Sequence, residues 1–444
     1  MFGKECHIAK FGGTSLCDAD RFKRIKELSC SFGDHVCIIP SAPGKRFKED
    51  IKVTDLLYNL FDKIKKQENF DQLIEQISNR YDDIAESLNI EFDTKSELLI
   101  AVQNAKRDET ADYLVSRGEY LNGKLLAKFL GYRFIDATEV IFFNEYGVLI
   151  MKKTLNSIAR KLRNVDKAVI PGFYGIQSGT QIVRTFSRGG SDITGAVVAR
   201  AVNADIYENW TDVSGFFVTD PRIVKDAKKI DTMDFNELRE LSCMGASVLH
   251  GSTVLPLIGS QIKIKVCNTN DPDAPGTYIC PVVNKKSKIA GIAGKRGYTV
   301  VSIKKLALGD DSSFARRALH AFEACSVPVE HMPLSMDNLS VVTFTKSLNG
   351  KRELLENELK AVLGDISVEF SDGFSLVAAV SSMIGQSADA VCIFFNALAK
   401  NNIKVRLIDN GSGSDSVVAG VDDCNFEKAI KAIYSEFEQS GYIL

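Results

Sequence analysis

The N-terminal segment, more than any other stretch, restricts what this chain can fold into. Residues 6–10 suit a short strand, residues 11–15 (Phe-Gly-Gly-Thr-Ser) suit a tight turn, and residues 18–31 repeat apolar side chains at helical spacing. Because glycine lacks a Cβ atom, backbone N–H groups in such a turn can close on an anion, and the helix N-terminus adds positive charge there. The pattern predicts a phosphate-binding element with Lys10 at the strand end. An ordinary turn beside a solvated lysine would also explain this segment taken alone.

Composition indicates a folded protein of several domains. The 444 residues are 45% hydrophobic and 25% charged, and 55 Lys and Arg nearly balance 57 Asp and Glu. This balance gives no electrostatic reason to expect nucleic acid or an anionic membrane as a partner. No window approaches the roughly 20 apolar residues that a membrane helix needs, and the N-terminus lacks the apolar run of a secretory signal.

The cysteines point to a reducing compartment. The ten cysteines are scattered along the chain, without a C-x-x-C pair and without the Cys/His spacing of a zinc site. We therefore expect the thiols to pack as small hydrophobic side chains and the protein to be cytoplasmic.

Strand-like and helix-like patterns alternate as far as about residue 267. Residues 36–40 and 165–170 are apolar and strand-like, whereas residues 73–88 repeat apolar side chains at helical spacing. This alternation predicts an α/β fold with a mainly parallel sheet covered by helices on both faces. Turn-forming residues at 268–276 follow, and we place a domain boundary in or just after them.

Beyond this boundary the pattern nearly repeats itself, in two βαββα-type units of about 70 residues each. The predicted strands cover 298–303, 327–332, 339–344, 374–380, 404–408 and 417–421, and the predicted helices cover 314–325, 351–363, 388–401 and 426–437. Units of this type pack strands on one side and helices on the other. A weak β–α alternation without a true repeat is the alternative interpretation.

A second glycine pair lies at residues 187–192 (Ser-Arg-Gly-Gly-Ser-Asp), where the chain enters a predicted helix. Ser191 or Asp192 would suit the N-cap of that helix. Arg188 carries a planar guanidinium that suits a carboxylate or a phosphate. Capping alone does not explain this combination of residues within a few positions.

Other polar residues follow strands, where ligands of parallel sheets bind. Thr211 and Asp212 come after one predicted strand, and Ser41 comes after another. Gly118 and Glu119 lie between two helical stretches, where helix-end roles alone would explain them.

Residues 10–15, 187–192 and 210–213 (Trp-Thr-Asp-Val) together resemble, in order and spacing, the signature segments of the aspartate kinase family. The resemblance covers essentially the whole chain, since that family ends in two ACT domains, small ferredoxin-like βαββαβ modules that bind amino acids. The resemblance is to the monofunctional form of the family, since no further catalytic domain follows in this sequence. The implied domains are an amino-acid-kinase domain over 1–280, a first ACT domain over 295–370 and a second over 371–444, with strand exchange between the two ACT domains left open.

The resemblance implies transfer of the γ-phosphoryl group of ATP to the side-chain carboxylate of L-aspartate. The product would be 4-phospho-L-aspartate, at the first step of lysine, threonine and methionine biosynthesis, with Mg²⁺ accompanying ATP. Phosphoryl transfer depends on alignment and charge neutralisation more than on covalent help. The substrate carboxylate is already ionised, so no general base is required.

Roles for individual residues follow from the same resemblance. Lys10 would bridge the phosphates and the attacking carboxylate. Asp192, the second catalytic residue, would orient Lys10 or the substrate. Arg188 would hold the α-carboxylate of aspartate and Glu119 its α-ammonium. The implied aspartate-binding residues are Ser41, Thr54, Glu119, Arg188 and Ser191. The implied ATP-binding residues are Lys10, Gly12, Gly13, Ser15, Thr211, Asp212, Phe217 and Arg222. The metal ligands are not identified by the sequence.

Two residues depart from the family pattern on the nucleotide side. Ser247 stands where the family often has a lysine, and Phe217 stands where it often has a tyrosine. Both departures concern ATP contacts rather than the catalytic lysine.

The C-terminal modules imply feedback regulation. Effector-binding residues would be Phe314, Ala315 and Glu330, with lysine favoured over threonine as the effector. The modules would also join the chain into a homodimer or a dimer of dimers, and dimerisation alone is the alternative role. Two other functions stay open, namely another amino-acid kinase of the same fold (glutamate 5-kinase or acetylglutamate kinase) and an amino-acid sensor that has lost catalysis.

Overall fold

The computed structural model of the chain forms two compact units. It describes residues 6–106, 110–246, 248–283, 288–306, 308, 311–382, 384, 387–411 and 414–443. The first unit comprises Met1–Phe216, Lys229–Arg239 and Ser247–Asn284, and the second comprises Phe217–Lys228, Glu240–Ala246 and Lys285–Leu444.

Strands and helices follow one another up to residue 283, with some consecutive strands between the helices. The strands are β1 (Cys6–Phe11), β2 (His35–Pro40), β3 (Arg133–Phe134), β4 (Phe142–Phe143), β5 (Lys167–Val169), β6 (Tyr174–Gln177), β7 (Val183–Thr185), β8 (Ile206–Thr211), β9 (Phe216–Phe217), β10 (Lys229–Ile230), β11 (Thr232–Asp234), β12 (Lys263–Asn268) and β13 (Thr277–Cys280). The helices are α1 (Ala19–Ser29), α2 (Val53–Lys66), α3 (Asp71–Ser87), α4 (Thr94–Ala105), α5 (Asp112–Leu130), α6 (Met151–Leu162), α7 (Gly190–Val202) and α8 (Phe235–Cys243).

The main sheet of the first unit has the strand order β11-β13-β12-β8-β1-β2-β5-β3. β1 lies parallel between β2 and β8, with Lys10 opposite Ile39 on one side and Asn209 on the other. Only the β12–β13 pair runs antiparallel among the described residues of this sheet. Parallel strands end at one edge, so the turns after β1, β2 and β8 lie side by side. The predicted mainly parallel sheet is confirmed.

Helix α1 shows how local sequence builds this edge. Asp18 is its N-cap, and the side chain accepts a hydrogen bond from the N–H of Arg21 at 2.9 Å. Phe22 and Ile25 on one face are fully buried in the core that also contains Phe11 of β1. The cap and this apolar stripe fix where the chain leaves the glycine turn.

The second unit contains one antiparallel sheet. Its elements are β14 (Gly291–Lys304), α9 (Phe314–Ala324), β15 (Asn338–Phe344), α10 (Arg352–Leu363), β16 (Ser367–Val380), α11 (Ala388–Lys400), β17 (Leu407–Asp409), β18 (Ser416–Asp422) and α12 (Phe426–Gln439). The strand order is β15-β14-β16-β18-β17, so the two βα repeats share a continuous sheet through the long β14–β16 pair. Val341 packs in a cluster with α9 and α10, whereas its neighbour Val342 belongs to a different cluster, on the other face.

One predicted strand of this unit is absent from the described residues. Residues 327–332 form no strand, and His331 makes only an isolated bridge to Val342. Pro328 lies within this stretch and Pro333 follows it, and proline cannot donate a ladder hydrogen bond.

None of the helices within the described ranges is long and apolar enough to cross a membrane. All ten cysteines lie in the described part of the chain and are free thiols, half of them buried. Burial raises the pKa of the Cys267 thiol to about 12, so this group stays protonated and inert.

Candidate active site

The glycine turn after β1 is built by direct contact with the loop after β2. The N–H of Gly44 donates to the carbonyl of Gly13 at 2.8 Å. A Cβ atom added at Gly13 would lie 2.8 Å from the carbonyl oxygen of Ala42, closer than real Cβ contacts. These two loops therefore meet backbone to backbone, which only glycine allows.

Replacing Gly13 with alanine is expected to lower the free energy of unfolding by about 1–3 kcal/mol, because the new methyl group has no room. Gly12 is the matched control, since its added Cβ would lie 3.5 Å from the carbonyl oxygen of Trp210, an ordinary contact. Chemical denaturation of both alanine variants checks this, and an equal loss in the two would contradict it.

Lys10 and Asp192 form an ion pair at the centre of the sheet edge. The Lys10 ammonium lies 2.6 Å from Oδ1 of Asp192, and the lysine is only 8% exposed. The same carboxylate oxygen accepts a hydrogen bond from Nδ2 of Asn209 at 2.7 Å. An added Cβ at Gly12 would lie 3.6 Å from the ammonium, so the charge of Lys10 is held against the glycine turn.

The second glycine pair opens helix α7 beside this ion pair. Gly189 is its N-cap with a left-handed φ of +58°, which favours glycine, and its added Cβ would lie 3.6 Å from Oδ2 of Asp192. Arg188 precedes it, is exposed, and pairs with none of the carboxylates that the structure describes. Ser191 is buried against Gly172. A Cβ atom added at Gly172 would lie 2.5 Å from the Cβ atom of Ser191. An arginine available to a ligand thus adjoins the Lys10–Asp192 pair.

Glu119 supplies a buried carboxylate on helix α5. It is 4% exposed, and its Oε2 atom has no hydrogen-bond partner among the described residues. Complete burial raises the pKa of this carboxyl to about 8, although hydrogen bonds from the N–H groups of Ala42 and of Glu119 itself oppose the shift. A buried carboxyl with an unpaired oxygen is suited to receive a cationic group.

The other residues predicted for aspartate binding lie around Glu119. An added Cβ at Gly118 would lie 2.9 Å from Cβ of Ala42 and 3.9 Å from the methyl group of Thr54. Ser41 is held at the same place, because its carbonyl accepts a hydrogen bond from Nδ2 of Asn122 at 2.6 Å.

Predicted residues of the nucleotide side are joined through Thr269. Its hydroxyl lies 2.7 Å from that of Ser15, and its N–H donates to the carbonyl of Thr211 at 2.8 Å. The Thr211 hydroxyl donates in turn to the exposed Asp212 carboxylate at 3.2 Å. Ser15, Thr211 and Asp212 therefore lie along one side of the glycine turn.

Comparison with known proteins matches this architecture. The model of the amino acid kinase family matches residues 5–268, more than half of the chain, and an ACT domain model matches residues 378–437. A crystal structure of aspartate kinase from Clostridium acetobutylicum is 43% identical, with a TM-score of 0.85, covering 98% of this chain and 100% of that one. The chain belongs to the aspartate kinases of the amino acid kinase family.

Curated members of the family match over almost their full lengths. Aspartokinase 3 of Bacillus subtilis (strain 168) is 29% identical, over 97% of this chain and 98% of its own length. Lysine-sensitive aspartokinase 3 of Escherichia coli (strain K12) is 26% identical, over 97% of this chain and 99% of its own length.

The structure does not bring every residue predicted to bind ATP or the effector to the sites expected in this aspartate kinase. Phe217 and Arg222 belong to the second compact unit, and the exposed Arg222 guanidinium is bound by Asp220 at 2.6 Å. Ser247 lies outside the described residues. Of the effector residues, Phe314 is buried in the cluster beneath α9, Ala315 follows it on that helix, and Glu330 lines a cavity that Phe314 does not reach.

Several polar residues at the site were missed from the sequence. Asn209 and Asn122 are polar residues within buried stretches of β8 and α5, and that local contrast was the available signal. Arg80 likewise interrupts the apolar face of α3. Thr269 lies in a run of turn formers and carried no signal of its own.

Arg80 on α3 binds the loop that follows Gly44 and holds it against the rest of the first unit. It is 3% exposed and donates to the carbonyls of Gly44 at 2.5 Å and Ile51 at 2.9 Å, while its ion pair to Asp50 measures 3.2 Å. Burial would raise the pKa of Asp50, but hydrogen bonds from Arg46 and the charge of Arg80 lower it to about 2.

Replacing Arg80 with methionine is therefore expected to lower the free energy of unfolding by about 3 kcal/mol, because Asp50 and two carbonyls lose their buried partner. Arg24→Met is the control, since Arg24 makes an exposed ion pair with Glu27 and this substitution should cost less than about 1 kcal/mol. Urea denaturation measures both, and a loss at Arg80 no larger than at Arg24 would refute the role.

Proposed function

We propose that this chain is an aspartate kinase that transfers the γ-phosphoryl group of ATP to the side-chain carboxylate of L-aspartate, giving 4-phospho-L-aspartate. The observation that carries this proposal is the buried Lys10–Asp192 pair beside the glycine turn, together with the Glu119 carboxyl, whose Oε2 has no partner among the described residues. Ala42 links the two, because it approaches both Gly13 of the turn and Gly118. A phosphate-binding turn beside groups for a zwitterion is what this reaction requires.

The amino-acid side of the site offers both charges. Glu119 receives the α-ammonium of aspartate, and Arg188 pairs with its α-carboxylate. Ser41, Thr54 and Ser191 border the same space and supply hydroxyl groups for the remaining oxygens. This polarity supports a free amino acid as substrate, because a substrate with a blocked amino group would leave Glu119 without a cation.

Lys10 acts on the transferring group. Its ammonium neutralises charge on the phosphates as the carboxylate attacks, while Asp192 and Asn209 hold the lysine in place. The N–H groups of Gly12 and Gly13 and the hydroxyl of Ser15 line the phosphates on the other side. The aspartate carboxylate is itself the nucleophile, so proton abstraction is not part of the step.

Mg²⁺ accompanies ATP in this proposal. No three His, Cys, Asp or Glu side chains within the described ranges form a metal cluster. In this proposal phosphate oxygens and water would supply most of the Mg²⁺ ligands, and the Asp212 carboxylate beside Thr211 would contribute one. The ion adds positive charge at the phosphates.

Regulation and assembly belong to the same proposal. The C-terminal unit binds lysine as a feedback effector, with threonine second, in keeping with the lysine-sensitive relative of Escherichia coli. It also joins the chain into a homodimer or a dimer of dimers. The free thiols support a reducing compartment, the cytoplasm. Phe217 and Arg222 stay assigned to the nucleotide, and Phe314, Ala315 and Glu330 to the effector.

A coupled assay of ADP release tests the function. We expect turnover with L-aspartate, little with L-glutamate or N-acetyl-L-glutamate, and inhibition on titration with lysine. Turnover of glutamate or acetylglutamate alone would identify another amino-acid kinase of this fold. Folded protein that binds lysine but releases no ADP with any acceptor would identify a sensor without catalysis.

A further inference from the structure

The carboxylate of Asp112, at the start of α5, is not among the groups assigned to aspartate or to ATP. It is half-buried, and it forms no ion pair with a cationic side chain in the described part of the chain. Both of its oxygens instead face one residue, Thr185 of β7. The Thr185 hydroxyl donates to Oδ1 at 2.8 Å, and the Thr185 N–H donates to Oδ2 at 3.4 Å. These bonds join residues 73 positions apart, so they fasten the start of α5 to the end of β7.

The segment that carries Arg188 begins at this link. Arg188 lies three residues after Thr185, on the connection that leads into α7. The N–H of Phe186, directly after Thr185, donates to the carbonyl of Phe173 at 2.9 Å. At the far end of the connection, a Cβ atom added at Gly190 would lie 2.9 Å from Cα of Phe173, so the backbones are in close contact there. Arg188 is therefore carried on a short bridge with both ends held, and the first end is fastened to α5.

Helix α5 also carries Glu119, seven residues after Asp112. Seven residues are close to two helical turns, so the two carboxylates lie on one side of the helix, roughly 10 Å apart along its axis. Both act on the Tyr58 hydroxyl of α2, because burial first, and then the charges of Asp112 and Glu119, raise the pKa of this phenol. One helix therefore sets the position of Glu119 directly and the position of the Arg188 segment through Asp112.

Packing between α5 and β7 is the alternative role for this pair of residues. A carboxylate that loses water without gaining a cationic partner costs free energy, so packing alone would favour an apolar or a neutral side chain at position 112. Two hydrogen bonds to the hydroxyl and the N–H of one residue, by contrast, fix both the position and the orientation of that residue. The choice of a carboxylate therefore favours positioning of Thr185 over packing.

We propose that Asp112 is a positioning residue for the amino-acid substrate, which acts through Thr185 to hold the Arg188 segment at a set distance from Glu119. Arg188 then reaches the α-carboxylate of aspartate while Glu119 receives the α-ammonium. This inference rests on the proposed function, because it uses the roles given there to Arg188 and Glu119. It concerns binding of the amino acid and not of ATP, since neither bond of the Asp112–Thr185 link involves the glycine turn or the nucleotide side.

Steady-state kinetics of the full chain with Thr185→Val and Thr185→Ser test this role. Valine has the shape of threonine without the hydroxyl, so Thr185→Val should raise the KM for aspartate about tenfold or more, because a displaced binding group is costly. The KM for ATP should stay within about twofold. Thr185→Ser keeps the hydroxyl and should keep the KM for aspartate within about threefold of the parent chain. Equal KM values for aspartate in the two variants, or an equal rise in the KM for ATP, would overturn the proposal.

The carboxylate itself is tested against a matched acidic residue. Asp112 and Asp71 are each the first residue of a helix, but Asp71 of α3 is exposed and bonds the neighbouring Asn69. Asp112→Ala should raise the KM for aspartate about as much as Thr185→Val does, and Asp71→Ala should leave it unchanged. Because Asp112→Ala and Thr185→Val break the same link, the double variant should be no worse than the more affected single variant. Effects that multiply in the double variant would refute the link.

Melting curves of each variant show whether it is folded, so a raised KM is not confused with lost structure. Turnover of aspartate by the parent chain tests the proposed function itself. A parent that turns over aspartate, with variants that match it, would remove only the role of Asp112. A parent that turns over another acceptor would remove the proposed function, and the same comparison is then made with that acceptor. A parent inactive with every acceptor would do the same, and the Kd of aspartate from calorimetry then replaces the KM.

Discussion

Replacing Lys10 with methionine is expected to lower kcat at least about 10²–10³-fold while the chain stays folded. The ammonium is held against the glycine turn by Asp192 at 2.6 Å, so its charge is preorganised where the phosphates would lie. Methionine keeps the length and the apolar stem of lysine but removes the charge. The coupled ADP-release assay measures the loss at saturating ATP and aspartate.

The control for Lys10 is Lys23→Met, which removes an exposed lysine of α1 that pairs with Asp20 on the surface. That variant should keep kcat within about twofold of the parent chain, because surface pairs contribute little. The Lys10 variant should also lose some stability, since Asp192 loses a partly buried partner. Turnover within about tenfold of the parent in a folded Lys10→Met chain would show that Lys10 does not act on the reaction.

Replacing Glu119 with glutamine is expected to raise the KM for aspartate about tenfold to a hundredfold, with a smaller change in kcat. The amide has the shape of the carboxyl group but cannot pair with an ammonium. Glu97→Gln on α4 is the control, because Glu97 pairs with Lys124 and neither residue is among those predicted to bind aspartate. An unchanged KM at Glu119→Gln would remove this residue from the substrate site.

The raised pKa of Glu119 predicts a pH dependence for aspartate binding. Since that pKa is about 8, the carboxyl of the free site is mostly protonated at pH 7, whereas an ammonium ligand favours its ionised form. Binding must therefore displace a proton at low pH. We expect the KM for aspartate to fall as pH rises from 6 to 8, approaching tenfold per unit at the acidic end, and this slope should vanish in Glu119→Gln.

The same group predicts how stability changes with pH in the chain without substrate. The folded pKa of Glu119 lies above its ordinary value of 4.5, so the folded chain binds the extra proton between pH 4.5 and about 8. Its contribution to stability is fully present below pH 4.5 and is lost as pH rises through 8. The Tm of Glu119→Gln should therefore rise relative to the parent between pH 5 and 8, and a constant difference would contradict the raised pKa.

Interpretation of the sequence succeeded where the signal was local. The strand before Gly12, the helix after it and the start of α7 near Gly190 follow from glycine content and apolar periodicity, which depend on neighbouring residues. It failed at residues 327–332, where apolar side chains suggest a strand but Pro328 within the stretch and Pro333 after it lack backbone donors. The repeated βα pattern likewise did not reveal that both repeats share one sheet.

The sequence by itself determined the α/β class, the two glycine turns and the family, because turns and apolar periodicities depend on residues that are close together in the chain. Only the tertiary structure decided that Lys10 pairs with Asp192, and that one oxygen of Glu119 is buried without a partner among the described residues. The physical reason is that burial and hydrogen bonding depend on groups far apart in the chain. These long-range contacts set the charge states on which the proposed chemistry depends.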